Sequence, residues 1–268
     1  MVFSTHHASP EEPRSVPYRA TVDVPHGLVE HVSWLIYARR CERRTRWRKL
    51  GCFKQALLAL VHLRKNETIP APAAGFGVST ATAWRYVDET LDVLAAWAPG
   101  LQEALVGLAE GDFVIVHGTL IATDRIHADE PYYSQKHKQH GMNVQVIARP
   151  DGTPLWFSRA TPGRTHHLTA ARAHGNIQAC LTRQILVLAD RSYQDAGATV
   201  RTPYKNHREQ PAPYQEFNRV HARLRAPGER AIAQLKSRRL LRRARCSTRR
   251  ISTIVQAVHT LMTCSYSG

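Results

Sequence analysis

The chain has 268 residues, 43% of them hydrophobic, and its 37 Lys and Arg against 21 Asp and Glu give a formal net charge of +16. This length allows one full domain with a small appended one, and the charge favours a polyanionic partner, with DNA or RNA ahead of a membrane surface. No run of about 18 apolar residues is available to span a membrane, and no apolar secretory core follows the N-terminus, so we expect a soluble intracellular protein.

The first fifth of the chain predicts an arm followed by a basic helix. Residues 1–25 contain four prolines and little apolar periodicity, which predicts a mobile arm. Residues 28–50 are amphipathic and become strongly basic in their second half. A solvated helix face is the alternative, but so dense a run is more typical of a nucleic-acid surface. Its cations, interrupted by Glu42 and Trp47, are Arg39, Arg40, Arg43, Arg44, Arg46, Arg48 and Lys49.

Residues 26–100 have the order of elements of a helix-turn-helix. Helical spacing at 53–63 is followed by Pro70 and Pro72, a short segment, a turn at 77–79 and a helix capped by Ser79. A plain helical hairpin would look similar. The inward face of the capped helix would be Ala83, Tyr86, Val87, Leu91 and Leu94. The outward residues at its start, where a major groove is read, would be Thr80, Thr82, Trp84 and Arg85.

Residues 110–265 change to alternating strands and helices. Strands are predicted at 113–116, 142–147, 155–159 and 185–189, with a weakly indicated fifth at 198–201. Helices are predicted from about residue 170, over 213–243 with a kink at Pro227, and over 252–263. A three-strand meander, a helical insertion, a buried strand, an edge strand and closing helices describe an α/β fold of the ribonuclease H kind.

Two acidic residues stand where this fold could place chemistry. The apolar strand at 185–189 ends on Asp190, at the sheet edge where α/β sites usually lie. Glu229 would share a helix face with Arg225 and Lys236. Clustered carboxylates of this kind hold the two divalent ions that polarise a phosphodiester. The alternatives are that Asp190 only caps the following turn and that Glu229 belongs to an exposed ion-pair row.

Residues 115–259 resemble the insertion-sequence-five and Harbinger-type DDE transposases, and residues 53–98 are similar to the helix-turn-helix that precedes the nuclease there. The motifs that carry the resemblance are Gly118-Thr119-Leu120, Lys136-His137-x2-His140-Gly141-Met142-Asn143-Val144-Gln145, Pro162-Gly163, Leu188-Ala189-Asp190-x2-Tyr193, Thr202-Pro203-Tyr204-Lys205 and Arg225-x3-Glu229-Arg230-x5-Lys236.

This resemblance implies a function and a site. The triad positions would be 117, 190 and 229, with Asp190 and Glu229 as ligands of two Mg²⁺ or Mn²⁺ ions. Arg225 and Lys236 would touch the transposon end. The partners would be double-stranded DNA, both transposon ends and target, and a second protomer, in a cytoplasmic, nucleoid-associated protein. Four further cations are expected to coat a helix lying along the DNA, namely Arg238, Arg239, Arg242 and Arg243.

The chain departs from the family pattern at its most sensitive point. The first aspartate of the triad is His117, the aspartate of the Pro-Gly-x2-His-Asp pattern is His167, and Ala222 stands where tyrosine is frequent. Imidazole is a poor magnesium ligand and cannot bridge two ions. Asp124 has the opposite strand parity to His117 and could replace it only through a bulge or turn. We therefore expect severely impaired catalysis; the alternative is an inactive DNA-binding protein.

Overall fold

The computed structural model describes residues 24–44, 48–124, 131–197, 199–205 and 210–265. Apart from Val24 and Pro25, the arm predicted for residues 1–25 lies outside the described residues. Within the described ranges, every helix is too short or too polar to cross a membrane.

The N-terminal unit consists of helices that form where the apolar spacing predicts them. Ser79 caps the fourth helix by accepting a hydrogen bond from the backbone N–H of Thr82 at 3.2 Å. All five residues predicted for the inward face of that helix are buried. The helices are α1 His26–Glu42, α2 Cys52–Lys65, α3 Pro70–Gly75, α4 Thr80–Ala96 and α5 Leu101–Ala104.

A mixed sheet forms the centre of the second half. The strands are β1 Phe113–Thr123, β2 Tyr133–Ser134, β3 Gln139–Ala148, β4 Pro154–Phe157, β5 Thr161–Pro162, β6 Leu186–Ala189, β7 Val200–Arg201 and β8 Arg243–Ala244. Strand β3 pairs antiparallel with β1 and β4, whereas β6 pairs parallel with β1 and β7, which gives the order β4-β3-β1-β6-β7.

The later helices correct one prediction. The helix predicted for 213–243 divides at Ala226 and Pro227, and its second part ends at Ser237. Beyond it Leu240, Leu241 and Ala244 are buried, so the chain turns inward and pairs with the end of β1. The four cations at 238, 239, 242 and 243 therefore do not lie on one continuous α-helix. The helices are α6 His167–His174, α7 Asn176–Thr182, α8 Ala212–Arg225, α9 Gly228–Ser237 and α10 Thr248–Ser265.

Helix α10 joins the N-terminal helices to the sheet. One hydrophobic cluster extends from α1, α2 and α4 through α10 to β3. The hydroxyl of Thr260 donates to the carbonyl of Leu94 at 2.8 Å, and Arg250 bonds both Asp92, at 2.7 Å, and Asp88. Helix α4 is thus held against the sheet-bearing part of the chain by packing and by charge.

Candidate active site

Parallel pairing of β1 and β6 brings the first two triad positions together. Val116 is opposite Ala189 in the register, so His117 and Asp190 are the next residues of their chains, side by side at the carboxyl end of β6. His117 is only 6% exposed. Strand β6 ends at Ala189, whereas β1 continues past His117 to Thr123, so Asp190 lies just beyond the end of β6 and beside the middle of β1.

The third position reaches the same edge because α9 lies very close to β1. A Cβ on Gly228 would lie 2.6 Å from Cγ2 of Ile115 and 3.1 Å from Cδ2 of His117, so only glycine permits this approach. Glu229 follows, and its Oε1 lies 3.2 Å from Nε2 of His117. Positions 117, 190 and 229 therefore meet, as the resemblance implies.

Asp190 caps the turn that follows β6 and also contacts a cation of the site. It caps the turn at Arg191–Tyr193, accepting the backbone N–H of Ser192 at 2.8 Å and also the Ser192 hydroxyl. Its other oxygen lies 3.5 Å from Nζ of Lys136. Burial alone would raise the pKa of Asp190, but the Ser192 hydrogen bonds and the Lys136 charge outweigh it and hold the pKa below its usual value.

Arg225 points into the site. Its Nη1 donates to Nε2 of His117 and lies 4.0 Å from Oε1 of Glu229. Because guanidinium can only donate, His117 accepts through Nε2 and carries its proton on Nδ1. Burial, opposed by Glu229 and assisted by Arg225, lowers the pKa of His117 and keeps the ring neutral. The guanidinium thus bridges two acceptors, His117 and Glu229.

These residues do not fit a pair of divalent ions. In the described ranges, no three His, Cys, Asp or Glu side chains form a cluster that could hold a metal. Each remaining carboxylate already has a protein cation, Lys136 for Asp190 and Arg225 for Glu229. The Nε2 lone pair of neutral His117 accepts from Arg225 and is not available to a metal ion. Two protein cations therefore satisfy the charge that two metal ions would otherwise neutralise.

A buried polar network supports the edge beneath the site. The hydroxyl of Tyr193 donates to Gln145, whose amide donates to Oδ1 of Asn143 at 3.1 Å, and Nδ2 of Asn143 donates to Nδ1 of His167 at 3.1 Å. Burial, with the nearby charge of Lys136, lowers the pKa of His167 to about 4. The ring fits only because Gly118 leaves room for it.

Asp124 cannot replace the missing aspartate. Strand β1 pairs with β3 without a bulge from Ile115 to Ala122, so no turn brings residue 124 back. Seven residues of strand separate it from His117, about 23 Å at the usual rise. Asp124 instead bonds Nε of Arg243 at 2.5 Å.

The remaining candidates lie around this centre or on α4. Lys236 lies in the last turn of α9, where burial lowers its pKa although the charge of Glu229 opposes the shift. Arg242 donates to the carbonyl of Lys236 at 2.8 Å. On α4, Thr80, Trp84 and Arg85 are exposed as predicted. Thr82 is half-buried and accepts the Ser79 hydroxyl at 2.9 Å.

Lys136, the His167 network and the inward direction of Arg225 were not predicted as parts of the site. Lys136, Asn143, Gln145 and His167 do occur in the motifs of the resemblance, which was the only available signal. No periodicity marks them, because their contacts join segments more than 20 residues apart.

A capped helix-turn-helix ahead of a mixed sheet with paired acidic positions at its carboxyl edge defines a DNA-processing protein. Residues 116–263 match the model of the DDE superfamily endonucleases, and residues 48–99 match the helix-turn-helix of DDE superfamily endonucleases. The chain belongs to the DDE superfamily endonucleases and is a DNA-binding transposase by family.

A similar protein comes from Streptomyces albus G and is called "Putative transposase for insertion sequence element IS112". It is 28% identical over 202 residues, which cover 71% of each chain. Members of this superfamily use divalent metal ions. The residue at position 117 therefore matters most for whether this chain can bind them.

Proposed function

We propose that this chain recognises the terminal inverted repeats of a mobile element through α4, and that its ability to cut and join DNA is severely impaired by His117. The single observation that carries the impairment is the contact of Arg225 with the Nε2 of His117, beside Glu229. We also propose that the chain belongs to the insertion-sequence-five and Harbinger-type subgroup of these transposases.

The sheet supports a ribonuclease H-like architecture for the catalytic part. An antiparallel meander of β1, β3 and β4 is extended by parallel β6 and β7 on the other side of β1. Catalytic positions on β1, after β6 and on a late helix suit phosphodiester chemistry at one edge.

Exposed residues at the start of α4 support DNA recognition. Trp84 and Arg85 lie one turn into the helix and face solvent, where a recognition helix contacts base edges. Arg85 has no carboxylate partner among the described residues, so it is available for a phosphate or a guanine edge. Two protomers bound to two transposon ends complete the proposal.

The metal ligands available at positions 117, 190 and 229 explain why catalysis should be impaired. Mg²⁺ or Mn²⁺ would be held by Asp190 and Glu229, but a third carboxylate is replaced by an imidazole that cannot bridge two ions. Loss of even an outer partner of a metal ligand lowers affinity or activity about 10 to 100-fold, so loss of a ligand should cost at least as much. The alternative is a catalytically inactive DNA-binding protein, decayed or repurposed, in which Arg225 and Lys136 permanently satisfy the carboxylates.

His117→Asp separates these possibilities. Wild type, His117→Asp and the remote control His26→Asp are assayed for binding and for Mn²⁺-dependent nicking of a duplex carrying the inverted repeats that flank the gene. We expect all three to bind the duplex and His117→Asp alone to nick it, with Mn²⁺ binding by calorimetry appearing in parallel. Equal nicking by wild type and His117→Asp would contradict the impairment.

Two other results would favour a different function. Duplex binding without nicking or Mn²⁺ binding in His117→Asp would favour the inactive DNA-binding protein. Absence of duplex binding in all three variants, or binding that hardly changes between about 50 and 200 mM salt, would reject DNA recognition itself.

A further inference from the structure

Exposed aromatic rings form a cluster between β7 and α8. The rings of Tyr204 and Tyr214 stack with centroids 4.3 Å apart and an interplanar angle of 26°, and Phe217 meets Tyr204 edge-on at 5.1 Å. Tyr204 and Tyr214 are 46% and 45% exposed. Nothing in the helix-turn-helix or the acidic centre uses these rings.

The cluster is held in a fixed position. The Asn218 side chain accepts a hydrogen bond from the backbone N–H of Tyr204 at 2.8 Å and donates one to the Tyr204 carbonyl at 3.1 Å. Helix α8 therefore fixes the backbone of Tyr204 through two hydrogen bonds. One turn further on, Nε2 of His221 donates to the carbonyl of Arg201 at 3.0 Å. A ring that is fixed before a ligand arrives loses little conformational entropy on binding.

Positive charge borders the same rings. A cleft of about 480 Å³ is lined by Arg191, Gln194, Thr202, Pro203, Tyr204 and Lys205. Among the described residues neither Arg191 nor Lys205 has a carboxylate partner. A cationic groove beside stacked aromatic rings is the combination that binds single-stranded nucleic acid, because phosphates meet the cations while bases stack on the rings.

The cluster lies at the edge of the sheet that carries the acidic centre. Leu188 is opposite Arg201 in the parallel pair of β6 and β7, so Asp190 and Pro203 both lie two residues beyond that pair. Adjacent strands are about 4.8 Å apart, and Arg191, the residue after Asp190, lines the same cleft as Tyr204. Arg191 therefore links the two features.

We propose that Tyr204 and Tyr214, with Arg191 and Lys205, bind unpaired nucleotides of a DNA strand beside the acidic centre. Base pairs in a duplex are stacked on each other, so only unpaired bases offer free faces to these rings. The surface therefore holds a strand that has been separated or left single-stranded at a transposon end. This inference rests on the proposed function, since it adds a second DNA site to the same protein.

The test compares two single-stranded probes on the full chain. Fluorescence anisotropy measures binding of an oligothymidylate of about twelve nucleotides and of an abasic oligonucleotide of equal length. Wild type should prefer the base-bearing probe. Tyr204→Ala should bind that probe about tenfold more weakly and the abasic probe unchanged, whereas Tyr204→Phe should behave as wild type.

Matched variants make the result specific. Trp97→Ala removes a more exposed ring, 65% exposed at the end of α4, and should leave the preference intact. The double variant Arg191→Gln, Lys205→Gln should weaken both probes alike, because it removes phosphate contacts. Circular dichroism checks that each variant is folded, and Tyr214→Ala gives a second reading of the stack.

Three results would overturn the inference. They are equal binding of the two probes by wild type, an unchanged preference in both tyrosine-to-alanine variants, and a dimer seen by sedimentation that Tyr214→Ala dissociates without changing probe binding. The last would assign the rings to a second copy of the chain. Duplex binding is measured separately with Arg85→Gln, so failure of the helix-turn-helix proposal is distinguishable from failure of this one.

Discussion

Gly118→Ala tests how tightly the residues beneath the acidic centre are packed. Gly118 follows His117 on β1, and a Cβ at this position would lie 2.0 Å from Nδ1 and 2.4 Å from Cε1 of His167. The imidazole ring is buried and accepts a hydrogen bond from Asn143 at 3.1 Å. It cannot move without breaking that bond or displacing the strand.

The expected cost follows from three contributions. Overpacking a filled interior typically costs about 1–3 kcal/mol. Loss of the Asn143 hydrogen bond adds about 1 kcal/mol. Replacing a strand glycine by alanine returns about 0.5–1 kcal/mol of backbone entropy. We therefore expect Gly118→Ala to lower the free energy of unfolding by about 1–3.5 kcal/mol.

Urea unfolding followed by circular dichroism measures this change, and His167→Ala supplies the decisive comparison. With the imidazole removed, Gly118→Ala should cost less than about 0.5 kcal/mol, because the new methyl group has space. Gly27→Ala, where a Cβ meets no atom within 4 Å, is the matched control and should not destabilise the fold. Equal costs in the presence and absence of the His167 ring would refute the packing argument.

Two further predictions concern stability. Burial lowers the pKa of His259 from 6.5 to about 4, so the folded state resists protonation and stability falls as pH drops below 6.5. The His259→Gln variant lacks this titration. Its free energy of unfolding should therefore fall by about 2 kcal/mol less than that of wild type when the pH is lowered from about 7 to 5. The control His26→Gln should behave as wild type. Arg250→Met leaves a partly buried Asp88 without its cation and should lower the unfolding free energy by about 1–2 kcal/mol by thermal or urea denaturation, whereas its exposed neighbour Arg249→Met should not.

The local parts of the fold could be predicted from the sequence. The Ser79 cap and the inner face of α4 depend on a few neighbouring residues and on a period of 3.6, and both were correct. The strand that ends at Asp190 is a run of apolar residues followed by a turn, which needs no distant partner to be recognised. The meeting of positions 117, 190 and 229 came from the family resemblance rather than from periodicity.

The rest depended on contacts between distant segments. Strands β2, β5 and β8 have two residues each, too few to show any alternation. The basic segment after Ser237 resembles a helix in composition, but burial of Leu240 and Leu241 turns it towards β1. The direction of Arg225 was also hidden, because helical geometry alone placed it on a shared face with Glu229 and could not show that His117 would accept from it.

The replacement at position 117 changes the balance between metal affinity and stability of the metal-free fold. Three carboxylates at one sheet edge repel one another unless divalent cations neutralise them. Here only two carboxylates remain, one paired with Lys136 and one close to Arg225, and the neutral His117 ring is hydrogen bonded. Burying a neutral hydrogen-bonded ring costs less than burying a third unpaired charge. A histidine at position 117 therefore weakens the attraction for metal ions and, at the same time, reduces the charge repulsion that metal ions would relieve. The fold would stay stable without metal even if catalysis were impaired, as we propose.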